Sequence, residues 1–176
     1  MAGCIHKVPS KQLVLIRHAK SVFPVGVDDH DRPLSERGVV DAAAVGQWLG
    51  TSGLLEREIA VTVSSARRTQ ESWELIRGEH VELTARAEPR LYGASPDTIR
   101  ALITSTPLVV EVLVLIAHNP GLEDLALSIA SNRKSTAFLE LTRKFPTSGI
   151  AIFEVNDWAN VAEGNALLTE FLVPRG

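Results

Sequence analysis

Leu13-Val14-Leu15-Ile16-Arg17-His18-Ala19-Lys20-Ser21 decides how the rest of the chain is read. Its first four residues are apolar without a break, so neither face of the segment is left for water. In a run this short, that pattern fits a strand buried on both faces of a sheet. The run stops at an arginine and a histidine, side chains that such an interior does not hold unpaired. A strand over residues 12–16 therefore delivers Arg17 and His18 to its carboxyl end.

Similar runs occupy residues 59–63, 111–117 and 149–155, and residues 166–173 read as an edge strand. Helical segments lie between them. The first has Ser35 as its N-cap and runs to Leu49, with Gly50 as its stop and Val39, Ala43 and Trp48 on one face. The second starts near Ala66 and stops at Gly78. The third opens with Ser95-Pro96-Asp97, which combines an N-cap, a first-turn proline and an acid at the positive end of the dipole. The fourth opens with Asn119-Pro120 and carries Leu122, Leu125, Ala126 and Ile129 as an apolar stripe. Strands alternating with helices make an α/β domain with a mostly parallel sheet. Ligands of such sheets bind beyond the carboxyl ends of the strands.

Three strand ends carry chemistry. Arg17-His18 follows the first run, Ser64-Ser65-Ala66-Arg67-Arg68-Thr69 the second, and His118-Asn119-Pro120-Gly121 the third. In a parallel sheet these groups converge. Arginine offers a fork of donors matched to phosphate oxygens. A helix start adds backbone N–H groups and a positive dipole end. A neutral imidazole is a nucleophile that can carry a phosphoryl group. Two histidines with two arginines therefore describe phosphoryl transfer without a metal or organic cofactor. Each element alone has a plainer reading: Arg67-Arg68 as a solvated helix start, His118 as a hydrogen-bonded structural histidine. The joint placement outweighs those readings. His6, His30 and His80 are assigned to surface or loop roles.

Composition narrows the class further. The chain has 176 residues, 45% of them hydrophobic and 22% charged, which suits one globular domain over 1–176 with its core at about 12–173. A net charge of −3 makes a general nucleic-acid binder a poor reading, since such affinity comes from neutralising phosphates. The single cysteine, Cys4, allows neither an internal disulfide nor a thiolate zinc cluster. The first residues lack the pattern of a secretory signal. The apolar stretch 108–117 is broken by Glu111 and too short to span a bilayer. The expectation is a soluble cytoplasmic protein with no membrane association. The sequence contains no G-x-S-x-G elbow, no Walker loop and no G-x-G-x-x-G fingerprint. No H-E-x-x-H or paired-cysteine pattern supports a metal, and Asp28-Asp29-His30-Asp31 reads as a solvated loop.

Residues 13–21 resemble the first-histidine signature of the histidine phosphatase superfamily, and Asp31-Arg32-Pro33-Leu34-Ser35-Glu36-Arg37-Gly38 resembles the segment that follows it in SixA-type phosphohistidine phosphatases. Residues 63–69 are similar to the family's second-arginine motif, and residues 115–123 to its second-histidine motif. A weaker match lies at Thr147-Ser148-Gly149. The resemblance implies a three-layer α/β/α fold of the phosphoglycerate mutase-like kind and a phosphohistidine enzyme intermediate. It makes His18 the nucleophile, and Arg17, Arg68 and His118 the ligands of the phosphoryl oxygens. Arg68 is preferred to Arg67 because the family arginine stands four residues after Ser64, with Arg67 kept as a substrate-binding alternative. Ser21 and Asn119 are further substrate-binding candidates, Asn119 with a helix cap as its other reading. Many relatives carry a glutamate where this chain has Gly93, so the general acid is open. Glu88 is the candidate, with Asp28, Asp29 and Asp31 behind it. The implied partner is a phosphorylated protein bearing phosphohistidine, or a small phosphorylated substrate. The rivals are a small-molecule phosphomonoesterase, a mutase of the same superfamily, and a phosphate-binding module without turnover.

Overall fold

The unbroken apolar runs become the middle of a sheet. In the computed structural model, which describes residues 10–176, the strands are β1 (Lys11–Arg17), β2 (Ile59–Ser64), β3 (Ala85–Glu88), β4 (Val112–Ala117), β5 (Ile150–Val155) and β6 (Leu167–Leu172). They form one sheet in the order β3-β2-β4-β1-β5-β6. β1, β2, β3 and β4 are mutually parallel, while β5 runs antiparallel to β1, and β6 antiparallel to β5. The helices are α1 (Glu36–Thr51), α2 (Arg67–Arg77), α3 (Pro96–Thr104), α4 (Gly121–Ile129) and α5 (Thr136–Arg143).

Alternation along the central strands divides the interior into two layers. Leu13 and Leu15 join Leu113 and Leu115 in a core with Ile99 and Ile103 of α3, Leu122 and Leu125 of α4, and Leu141 of α5. Val14 and Ile16 point the other way, with Val114 and Ile116, into a core with Ala42, Val45 and Leu49 of α1 and Trp73 and Ile76 of α2. This is the three-layer α/β/α architecture.

Several local expectations need correction. The buried stripe of α1 is Gly38, Ala42, Val45 and Leu49, whereas Val39 is 43% exposed. The helix start passes so close to the Lys20 carbonyl that a Cβ at Gly38 would overlap it, and this approach sets the rotation of the helix. α1 also continues through Gly50 to Thr51. β3 and α5 had no apolar signature. β3 lies at the sheet edge with Glu88 its one buried residue, and α5 buries only Leu141. α4 opens at Gly121 rather than at Asn119. Among the described residues, no helix is long and apolar enough to cross a membrane, and no group of three or more His, Cys, Asp or Glu side chains is placed to hold a metal ion. Cys4, His6 and the reading of the amino-terminal segment lie outside the described residues.

Candidate active site

The parallel register brings the three strand ends to one edge of the sheet. Arg17 is paired with Ala117, and Val63 with Ile116, so His18, Ser64 and His118 all lie at the level where β1, β2 and β4 finish. The rings of His18 and His118 meet with centroids 5.1 Å apart.

His18 is held by backbone. Its Nδ1–H donates to the Ala19 carbonyl at 2.7 Å, which leaves Nε2 as the free lone pair. The Ala19 N–H is itself fixed on Ser72 Oγ. From the other side the Ser148 N–H donates to the carbonyls of both Arg17 and His18. Ser148 adopts a φ of 59°, a left-handed conformation uncommon outside glycine, at the one place where a single N–H reaches both carbonyls. The ring is only 8% exposed. Burial pushes its pKa down to about 4, and the charges of Arg68, Arg17 and Arg32 act in the same direction against the Ala19 hydrogen bond. His18 is therefore a neutral imidazole at neutral pH.

His118 accepts or donates through Nε2 to Ser64 Oγ at 2.8 Å. Burial and the neighbouring His18, Arg68 and Arg17 push its pKa down to about 3, against an opposing pull from Asp29. Arg17 reaches across to the Phe145 carbonyl through Nη1 at 2.9 Å. Arg68, at the start of α2, turns inward and is buried. Its Nη1 donates to the Asp29 carbonyl and its Nη2 to Asp29 Oδ2 at 3.1 Å. Three nitrogens of this cluster, Arg17 Nε, Arg68 Nε and His118 Nδ1, are buried with no hydrogen-bond partner among the described residues.

The rim is built from residues 22–33 and Tyr92. Asp29 accepts from Arg32 at 2.8 Å, from the Tyr92 hydroxyl at 2.8 Å and from Arg68, which together hold its carboxyl well below the usual carboxylate range. Arg32 is buried and also donates to the Val22 carbonyl and to Ser21 Oγ. The Tyr92 ring stands edge-on to His118, with centroids 5.7 Å apart, and to His30, at 4.9 Å.

The expected site residues separate accordingly. His18, His118, Arg17 and Arg68 are brought together. Arg67 is not: it lies outside on α2, paired with Glu71 at 2.6 Å, because successive helical residues point about 100° apart. Ser21 is taken by Arg32 and braces the rim. Asn119 donates to Glu123 and to the Phe145 carbonyl, so it steadies the acceptor of Arg17; its free atom is the acceptor Oδ1, which would repel phosphoryl oxygens. It does not cap α4, whose N-cap is Pro120. Glu88, the candidate general acid, is engaged by its neighbours: hydrogen bonds from Arg90, aided by Arg86, push its pKa down to about 2. Asp29 is ionised for the same kind of reason. Gly93 turns the chain at φ 64° and has open space around it. His30, expected in a surface or loop role, lies in the loop that forms the rim, with Nε2 at 3.0 Å from Ser65 Oγ. Sequence reasoning missed Asp29 as an anchor, Tyr92, Ser64 and Ser148. The Asp29-x-x-Arg32 spacing was the available signal for one of these, and the weak match at Ser148 for another.

A buried, neutral imidazole beside unpartnered cationic donors defines a receptor for a tetrahedral oxyanion. Comparisons with known proteins give that receptor a family. The model of branch 1 of the histidine phosphatase superfamily matches residues 13–96. An uncharacterized protein of Mycobacterium tuberculosis is 39% identical over 163 residues, covering 91% of this chain and all of the relative. A structure from Nakamurella multipartitia, provisionally named phosphohistidine phosphatase SixA, is 30% identical with a TM-score of 0.80 and covers 94% of this chain and 96% of its own. A second, from Agrobacterium tumefaciens and named in the same way, is 25% identical with a TM-score of 0.75, covering 94% of this chain and 99% of its own. The chain belongs to the histidine phosphatase superfamily, in its SixA-type branch.

Proposed function

We propose that this phosphatase takes the phosphoryl group of phosphohistidine, or of a small phosphomonoester with an undemanding leaving group, onto His18 Nε2 and then releases it to water. In the first step the P–N or P–O bond of the substrate breaks as the P–Nε2 bond forms. The leaving group keeps the bonding pair and takes a proton from solvent. In the second, water attacks phosphorus as the P–Nε2 bond breaks, His18 recovers its lone pair, one water proton stays on the departing inorganic phosphate and the other returns to solvent.

One observation carries the reading: Arg17 Nε, Arg68 Nε and His118 Nδ1 are buried beside a neutral nucleophile and have no hydrogen-bond partner among the described residues. Buried polar atoms in folded chains are nearly always satisfied, so three in one place ask for a ligand with several acceptor oxygens. Two arginines on a transferring phosphoryl group also supply the charge its transition state needs. The leaving-group preference follows from Glu88 and Asp29, both ionised by their arginines and unable to protonate an alkoxide. A phosphorylated imidazole needs no such acid, because a proton from solvent lets it leave neutral. The same names are borne by the Nakamurella and Agrobacterium relatives.

Quenching the enzyme during turnover of ³²P-labelled phosphohistidine or an aryl phosphate tests this. The expected result is acid-labile phosphate on His18. In His18→Ala both label and turnover disappear, with a loss of at least about 10⁴-fold. Label on another residue, or full activity in His18→Ala, overturns the reading.

A further inference from the structure

The reading above requires His118 to present a hydrogen at Nδ1, and a neutral imidazole has two tautomers, only one of which does so. We propose that Ser64 is the positioning residue that decides between them: its hydroxyl donates to His118 Nε2 and thereby puts the ring hydrogen on Nδ1, facing the phosphoryl oxygens.

Hydrogen counts distinguish the two tautomers. Ser64 is fully buried at the end of β2, and its Oγ lies 2.8 Å from His118 Nε2. Its carbonyl is occupied by Thr69 Oγ1 and Gln70 Nε2, both at 2.7 Å, so the residue is clamped in place from the α2 side. Among the described residues Ser64 Oγ makes no other hydrogen bond. If Ser64 donates, its hydrogen is satisfied and the Nε2 lone pair is satisfied. One group then remains open, the Nδ1–H, and it is the group a phosphoryl oxygen would fill. If instead His118 donates from Nε2, the Ser64 hydroxyl hydrogen has no acceptor and the Nδ1 lone pair has no donor. Two buried groups then stand unmade, and the second is an acceptor turned toward an anion. The first arrangement leaves fewer buried groups without partners and is the one compatible with phosphate. The imidazolium, which would donate from both nitrogens and make the choice irrelevant, is disfavoured by burial and by His18, Arg68 and Arg17 around the ring, with Asp29 opposing them.

The device mirrors the one at His18. There a backbone carbonyl accepts from Nδ1 and leaves Nε2 bare for attack. At His118 a hydroxyl donates to Nε2 and leaves Nδ1 protonated for binding. Two identical side chains with ring centroids 5.1 Å apart are thus held in the same Nδ1–H tautomer, one by an acceptor at Nδ1 and the other by a donor at Nε2, and turn opposite ring nitrogens to the phosphoryl group.

The test is ¹⁵N NMR of the full chain with ring-labelled histidine. In the wild type, His118 should show a protonated Nδ1 and a bare, hydrogen-bonded Nε2. Adding inorganic phosphate should move the Nδ1 resonance more than the Nε2 resonance. In Ser64→Ala the ring should pass to a mixture of tautomers, with kcat/KM on an aryl phosphate reduced roughly tenfold or more. Ser64→Thr, which keeps the hydroxyl, should keep the wild-type tautomer. A wild-type His118 protonated on Nε2, or a Ser64→Ala enzyme that keeps both the Nδ1–H form and full activity, overturns the proposal. The wild-type spectrum decides the matter even where Ser64→Ala does not fold. Failure of the underlying reading looks different: the wild type would show the expected tautomer yet carry no phosphate on His18.

Discussion

The floor of the site and its rim are held by different means. At the floor, His18, Ser148 and the ends of β1, β2 and β4 are tied through backbone groups that the sheet itself positions. At the rim, Asp29, Arg32 and Tyr92 are tied by side chains to one another, and the Asp29 side chain is 52% exposed. Backbone ties in a buried layer cost a great deal to break, whereas exposed charge pairs are screened and individually weak. The floor is thus fixed by the sheet, whereas the rim depends on side-chain ties from a half-exposed Asp29 to the buried Arg32 and Arg68. Arg68 belongs to both, since it projects from the first turn of α2 into the floor and anchors Asp29 of the rim.

After His18→Ala, the largest expected effect exploits two adjacent arginines. Arg68→Ala should lower kcat/KM on an aryl phosphate by roughly 10²–10³-fold, as for the loss of one transition-state donor. Arg67→Ala should stay within about twofold, because its guanidinium lies on the outer surface in a screened pair with Glu71. Equal losses would erase the distinction between inside and outside.

An intermediate effect concerns pH. With His18 depressed to about 4, kcat/KM should be level through neutral pH and fall on the acid side as the Nε2 lone pair is protonated. The sign follows from burial: the charged form is disfavoured, so the nucleophile stays available well below the ordinary histidine range. An acid limb at the ordinary value, measured with a substrate that does not titrate there, would show the floor to be wetter than described.

A smaller effect belongs to the rim. Tyr92→Phe removes one hydrogen bond to Asp29 and should change kcat/KM by about fivefold or less, with no movement of the acid limb. A loss as large as that of Arg68→Ala would place Tyr92 with the floor.

How legible the site was depended on the kind of tie. His18 and His118 were readable because an apolar run that ends in a polar side chain marks a strand end, and a parallel sheet collects strand ends. Arg68 was readable against Arg67 only through the spacing of the family motif; the helical projection that separates them needed coordinates. Ser148 and Ser64 escaped because their contributions are a backbone N–H and a hydroxyl hydrogen, which look alike at any serine. Glu88 shows the opposite problem. It is buried beside the strand end of β2, as an acid catalyst would be, but Arg86 and Arg90 flank it and keep it ionised. The stripe of α1 was misjudged by one residue, because a close approach of Gly38 to the Lys20 carbonyl is invisible in a hydrophobic pattern.

Local chemistry along the chain is enough to specify layered α/β architecture and the edge of the sheet where function collects, because burial on both faces and polar strand ends are properties of consecutive residues. The protonation of the two imidazoles, the inward turn of one arginine and the ionisation of the nearby carboxylates are not properties of consecutive residues. They depend on which donors, acceptors and charges other parts of the fold bring within hydrogen-bonding distance, and those distances exist only once the helices are packed on the sheet.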